Sequence, residues 1–317
     1  MNPRYLGAAL LALISVPAAA AAPLDEPIKP VPLSLHQDPA RAALGRQLFH
    51  DARLSANNRV SCASCHDLAR GGADRHLRSQ GFAGGQTAVN TPTVLNAALN
   101  FRQFWNGRAA TLEEQIDLVV ENPVEMGSTW PDVLRKLGQD PAYRRAFAAA
   151  YAGGLTKANI QDAIASYERT LITPNARFDR YLRGDANAIT ETEKAGYAKF
   201  KRYGCVACHQ GVNVGGNMFQ KFGVMGDYFA RRGAASVADQ GRFAVTRDPA
   251  DLHVFKVPSL RNVSETGPYF HDASAATLAQ AVDVMFQFQL GRSGSQRDKD
   301  DIIAFLKTLN ATPEGQP

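Results

Sequence analysis

Cysteine is scarce in this chain, with four in 317 residues, and all four sit in two short runs. Dispersed disulfide staples, the framework of small secreted folds, are therefore not what the thiols build. Long apolar runs are also lacking. Beyond residue 22 no stretch approaches the roughly 20 residues that a membrane-spanning helix needs. Charge is not blocked: lysine and arginine are scattered and the formal net charge is only +5. That distribution allows an acidic partner and gives no sign of nucleic-acid binding. Strict apolar–polar alternation is absent too, as is a βαβ pattern, so a sheet protein or a thioredoxin-like fold is not indicated. Apolar content is ordinary for a globular chain, and the length suits one large or two ordinary domains.

What is present is a short run that occurs twice: Cys62-Ala63-Ser64-Cys65-His66 and Cys205-Val206-Ala207-Cys208-His209. This is C-x-x-C-H, the attachment pattern of a c-type haem. Two thiols three residues apart add to the two vinyl groups of one porphyrin. The histidine that follows then meets the iron from one face. A zinc ribbon would place its two cysteine pairs roughly 15–20 residues apart, and these pairs are far more widely separated. Two covalent haems are the reading that uses every cysteine.

Residues 1–22 carry Arg4, an apolar core from Leu6 to Val16 and a small-residue zone at Ala18–Ala22. That is the layout of a secretory signal peptide, with an apolar core too short for an anchor. The expected mature protein is exported, soluble and periplasmic, with no membrane span. Asp38-Pro39 starts a helix with an apolar face of Leu44, Leu48 and Phe49. A glycine-rich, charged loop from Gly71 to Gly85 has few apolar anchors and reads as mobile. Phe101, Phe104 and Trp105 are expected to form one aromatic cluster. Thr111 and Glu114 make a capping box for a helix that ends at Asn122-Pro123, leaving Glu125 in a turn. A helix over about 157–171 buries Ile160, Ile164, Tyr167 and Leu171. The pattern then recurs: a capping box at Thr190 and Glu193, Tyr197 and Phe200 facing inward, Gly204, the second C-x-x-C-H, and a closing helix with Ile302, Ile303, Phe305, Leu306 and Leu309. The expected class is mainly α, an internal duplication of two cytochrome c-like helical domains over 23–174 and 175–317, each with one covalently bound c-type haem. Short strands are expected only around 243–245.

The runs LFHDARLS, SCASCH, NTPTVLNAA, FWNGRA, LEEQ, NPVEM, LITPNARFD, GCVACH, GRFAVT, PSLRNV and GPYFH resemble the bacterial di-haem cytochrome c peroxidases and the related MauG-like enzymes, over about residues 40–310. The resemblance implies that His66 is the proximal ligand of a peroxide-reacting haem. It implies Glu125 as the distal acid–base residue with Gln115 beside it, and Trp105 between the haems. His209 and Met285 become the axial pair of an electron-transfer haem. Asn90, Thr266 and Pro268 become ligands of a calcium ion between the domains, the latter two through backbone carbonyls. His271 becomes a haem-propionate or structural contact. The implied partners are hydrogen peroxide, a small c-type cytochrome or cupredoxin as electron donor, and a second copy of the chain in a homodimer. Pattern alone leaves alternatives open at three of these positions. Glu125 also suits a turn cap, Trp105 and Met285 also suit a core, and Met218 and Met225 are further methionines downstream of the second motif. Trp130 reads as packing, and His36, His50 and His253 carry no motif.

The chain departs from the family pattern in two places. Many relatives carry a removable histidine on the loop after the first motif. The matching position here is Phe82, which cannot ligate iron, and the nearest histidine is His76. Either the first iron is five-coordinate at rest, which is the expectation taken here, or the loop slides and His76 substitutes. Leu118-Val119 also stands where the family often has Gly-Pro, which removes a helix kink. The expected reaction is peroxide reduction. A MauG-like oxidation of a partner protein and a plain di-haem electron carrier are the alternatives.

Overall fold

The computed structural model describes residues 24–233 and 236–313, so the expected signal peptide lies outside the described residues. Helices α1 (Pro39–Phe49) and α2 (Cys62–Cys65, a single turn) open the chain. After a long irregular stretch come α3 (Leu112–Glu121), α4 (Trp130–Gly138), α5 (Pro141–Ala150) and α6 (Lys157–Thr170). Then follow α7 (Arg177–Leu182), α8 (Glu191–Tyr203), β1 (Phe219–Lys221), α9 (Tyr228–Arg232), α10 (Phe243–Thr246), β2 (Val254–Lys256), α11 (Leu278–Val284) and α12 (Gln296–Lys307). The class is mainly α, as expected. The one sheet among the described residues is the antiparallel pair β1–β2, with Gln220 opposite Phe255.

The helix starts obey local chemistry. The Asp38 carboxylate accepts from the amides of Ala40, at 2.8 Å, and Arg41, and Pro39 fills the first turn, where its missing N–H costs nothing. Thr190 and Glu193 cap each other's backbone at the head of α8, and Gly204, at φ 92°, ends that helix in a conformation other residues resist. Helix α3 begins at Thr111 and runs unbroken past Leu118-Val119, as the absence of proline there requires.

Two helix pairs pack in a similar way. In the first half α1 lies on α6; in the second α8 lies on α12. Each contact is made through a glycine. A Cβ on Gly45 would run into the Ala163 carbonyl oxygen, and a Cβ on Gly196 would run into that of Asp301. Only a residue without a side chain lets two backbones approach so closely. Around the first pair Leu44, Leu48, Ile116, Trp130, Phe147 and Ile164 form one core. Around the second Phe178, Tyr197, Phe200, Phe305 and Leu306 form another, with the Phe178 and Phe305 rings edge-on at 4.9 Å.

The N-terminal segment crosses to the second half. Ile28 is buried in the second core, and residues 27 and 29 exchange backbone hydrogen bonds with Gly211. Arg261, fully buried, pairs with Asp179 at 2.8 Å and donates to the carbonyls of Val212 and Lys29. Asp179 also accepts from the Val31 amide. This segment is thereby fastened beside the second cysteine motif.

The expected strand at 243–245 is a helical turn instead, α10. Val254 accepts the Arg242 amide at 2.7 Å, and Gly241 and Arg247, both at positive φ, bend the chain on either side. Exposed Val245 has no neighbouring strand to pair with, and β-propensity without a partner does not make a strand. The expected aromatic cluster is also dispersed. Phe104 takes φ 67°, which turns the chain so that its neighbours diverge. Phe101 meets Phe219 edge-on, Phe104 lies under Arg108, and Trp105 packs beside Tyr228, Phe229, Phe255 and Phe288.

Candidate functional site

Both C-x-x-C-H runs sit on a single helical turn, which brings the two thiols of each run to one side and lets the following histidine leave the helix. His66 Nδ1 lies 3.1 Å from the Gly72 carbonyl, and His209 Nδ1 lies 3.3 Å from that of Val214. A carbonyl only accepts, so Nδ1 carries the proton in each ring. Nε2 is then left as the lone pair, oriented for a metal. Burial lowers the pKa of both imidazoles and so keeps them neutral, the state a ligand needs. All four cysteines are free. Burial pushes up the thiols of Cys62, of Cys65 (to about 11) and of Cys205 (to about 12), which removes the thiolate character that a redox pair or a metal-thiolate site needs. Free paired thiols beside a free imidazole nitrogen are the donor set of a thioether-bound haem.

The second run opens on an apolar cavity of about 250 Å³. Cys205, Cys208 and His209 line one part of it, and Met285 lines another. Met285 begins a π-helical turn, Met285–Gln289, that continues α11, while Phe286 and Phe288 of that turn are buried. Met218 and Met225 do not line the cavity, and Met225 is 61% exposed. The structure thus separates the three downstream methionines that the sequence left open.

Trp105, Asn90, Thr266, Pro268 and His271 share the wall of this cavity. The Trp105 indole donates to the Asn90 carbonyl at 2.9 Å, and the Asn90 amide donates to the His271 carbonyl at 2.8 Å. The Asn90 side-chain nitrogen donates to the His76 carbonyl, which turns its amide oxygen the other way. His271 stacks on Phe255 at 4.4 Å, and its Nε2 donates to Asp239, 2.8 Å away. Burial works against ionisation of Asp239. Bonds from Arg232, the Ser236 amide and His271 nonetheless hold it well below the usual carboxylate range. Asp239, His271 and Asp272 are the one described group of three His, Cys, Asp or Glu side chains close enough to share an ion. Arg232 already donates to both of its carboxylates and so supplies the positive charge. Sequence reading missed this network, because Arg232 and Asp239 lie in no motif.

The first run is bounded by the turn that carries Glu125. Asn122 closes that turn by accepting the amides of Glu125 and Gly127. Glu125 Oε2 is shielded from solvent and meets no hydrogen-bond donor. Burial raises the carboxyl's pKa, with Arg108 and the Asn122 side chain pulling the other way. The Glu125 charge also reaches the Cys65 thiol, so the acid stands on the side of the first motif. Arg108, which no pattern singled out, is a cation that this acid feels; it lies 3.3 Å over the Phe104 ring. Gln115 is half-buried on α3, and no hydrogen bond among the described residues ties it to Glu125.

The loop expected to be mobile is docked on this turn. The Phe82 amide donates to the Glu125 carbonyl at 2.9 Å, and the Phe82 ring fills the space beside Gly127. Gly81 lies flat on the Val124 carbonyl, where a side chain would not fit. His76 is elsewhere, its side chain 67% exposed, with Nδ1 3.6 Å from an Asp74 carboxylate oxygen. Trp130 is core, its indole bonded to Asp117 at 2.6 Å. His253 stacks on Phe229, and His36 and His50 are exposed. No helix among the described residues is long and apolar enough to cross a membrane.

Comparison with known proteins agrees with this geometry. The family model for di-haem cytochrome c peroxidase matches residues 39–187. The chain is 45% identical over 287 residues to the cytochrome c peroxidase Ccp of Escherichia coli strain K12, covering 90% of this chain and 61% of that one. It is 43% identical over 310 residues to the cytochrome c551 peroxidase of Nitrosomonas europaea, covering 92% of this chain and 91% of its relative. Among solved structures it is similar to a MauG-like protein associated with microbial copper homeostasis. The TM-score there is 0.77 at 30% identity, covering 95% of this chain and 96% of that one. With two separate haem-type donor sets, and with relatives matched along nearly the whole chain, the protein belongs to the di-haem cytochrome c peroxidase family of oxidoreductases, a family that carries two c-type haem groups.

Proposed function

We propose that the chain reduces hydrogen peroxide to water at the first motif, with electrons delivered through the second. Cys62, Cys65 and His66 would hold the first haem; Cys205, Cys208, His209 and Met285 would hold the second. When bound, the first haem supplies an open iron position for peroxide, and the second supplies a store for one oxidising equivalent. The protein's own part is proton movement. The Glu125 carboxylate takes the proton from the inner peroxide oxygen and returns it to the departing one, so that the bond breaks to release water. The balance is one peroxide, two electrons and two protons in, two waters out. Arg108 steadies the ionised form of the acid. Trp105, on the wall of the second cavity and bonded to Asn90, would shorten the electron path between the two groups.

The observation that carries this reading is the Glu125 carboxylate, buried beside the first motif with one oxygen unpaired. An electron carrier has no use for such a group. Phe82 supports an iron that is five-coordinate in the resting, oxidised state, since the loop position facing the Glu125 turn offers a ring without a donor atom. Met285 favours the peroxidase over the MauG-like branch, which the resemblance associates with tyrosine at that place; methionine raises a haem's potential and suits an entry port. Asn90, with its amide oxygen free, and the Thr266 and Pro268 carbonyls form an oxygen-only set that suits calcium. The proposed division is 23–174 and 175–317, with the segment around Ile28 strapped across to the second part. Export to the periplasm follows from residues 1–22. The donor class and the homodimer rest on the family alone.

The test is turnover with a reduced small cytochrome. Two donors should be oxidised for each peroxide consumed, starting from the fully oxidised enzyme. Peroxide consumption that leaves the donor reduced, or that needs a specific protein substrate, would move the assignment to the MauG-like reading.

A further inference from the structure

The cavity of the second motif contains a cation without a partner. Lys256 lies on β2, is 7% exposed and lines the cavity, yet its ammonium makes no hydrogen bond or ion pair among the described residues. No aspartate, glutamate or arginine lines this cavity. The other ionisable side chains of its wall are Cys205, Cys208, His209, Lys221, Tyr269 and His271, and no carboxylate is among them. Asp239 is not on the wall; it is bonded to His271, which is, and is already engaged by Arg232. Burying an unpaired ammonium is expensive, and a protein keeps one only where a counter-charge arrives. Desolvation alone, with no opposing charge, pulls the group down to about 8.

From this we infer that Lys256 binds an ionised carboxylate of the cavity's occupant, a propionate of the second haem, and that this ion pair sets the potential of that haem. The inference rests on the reading that the second motif carries haem. The Lys256 amide donates to the Trp105 carbonyl at 2.8 Å, which ties the backbone that carries this cation to the tryptophan proposed to pass electrons. A cation paired with a propionate would disfavour the more positive, oxidised state of the haem, so its removal would lower the potential.

The experiment compares purified Lys256→Met and Lys256→Arg holoproteins with wild type, measuring haem per chain and the midpoint potential of the low-spin haem. Lys256→Met keeps the length of the side chain and loses its charge. The expected result is a shift of about tenfold toward the oxidised form, or about 59 mV for one electron, with Lys256→Arg recovering at least half of it. Loss of one haem in the Met variant but not in the Arg variant would support the same conclusion, since the Arg variant keeps the positive charge. Two bound haems with an unchanged potential in Lys256→Met would overturn it. So would equal losses in both variants, which would make the residue a packing element. A wild-type chain without haem on Cys205 and Cys208 would instead refute the reading beneath it, and the two failures are told apart by the haem count.

Discussion

Replacing Glu125 by Gln separates chemistry from folding, because the structure assigns opposite signs to its two effects. Gln keeps the size and removes the acid. A positioned general acid–base contributes about 10²–10⁴ in rate, which is about 2.7–5.4 kcal/mol of barrier, and kcat/KM for peroxide should fall by that factor. Stability moves the other way. Burial raises the Glu125 pKa above 4.5, so the folded protein binds this proton more tightly than the unfolded chain. Its contribution to stability is then greatest below about 4.5 and is lost as pH rises toward the folded value. At pH 7 the wild type bears that loss and the Gln variant does not. Glu125→Gln should therefore melt at the same temperature or higher at pH 7, and show no advantage near pH 4. In wild type the acid limb of the kcat/KM profile should lie above 4.5 and disappear in the variant. Stopped-flow turnover with a reduced cytochrome, thermal unfolding by circular dichroism and a haem assay cover these points. Activity within about threefold of wild type with both haems present would refute the role given to Glu125.

Phe82→His places an imidazole on the loop already bonded to the Glu125 carbonyl. The first haem should then become low-spin in the oxidised protein, with turnover lost until the second haem is reduced; a spectrum that stays high-spin would contradict the docked loop. Met285→Leu conserves volume, so stability should change by less than about 1.5 kcal/mol, while the second haem loses its sulfur ligand and its potential falls. Retention of the methionine spectral signature would return Met218 or Met225 to consideration. Arg261→Met strands the buried Asp179 carboxylate and should cost about 3–5 kcal/mol in urea unfolding, with Asp179→Leu in the same chain recovering part of it. A loss under about 1 kcal/mol would show that the pair is not what fastens residues 24–31.

Much of this molecule was legible in its sequence because its strongest signals are local. The C-x-x-C-H runs state their chemistry within five residues, and capping residues such as Asp38 and Thr190 act within one helical turn. The helix order suggested two similar helix pairs, while the glycines that let each pair close, Gly45 and Gly196, carry no local mark. What failed depended on neighbours distant in the chain. Whether 243–245 forms a strand turns on a pairing edge supplied from elsewhere, and the dispersal of Phe101, Phe104 and Trp105 turns on one left-handed residue. Arg108, Asp239 and Lys256 escaped notice for the same reason: each matters through a residue more than ten positions away.

The most direct measurement is electron paramagnetic resonance of the fully oxidised protein before and after one equivalent of hydrogen peroxide. Two haem signals are expected, one high-spin from the site beside Glu125 and one low-spin from the His209–Met285 pair, with the high-spin signal lost on adding peroxide. Two low-spin signals that peroxide leaves unchanged would contradict an open, acid-served iron at the first motif.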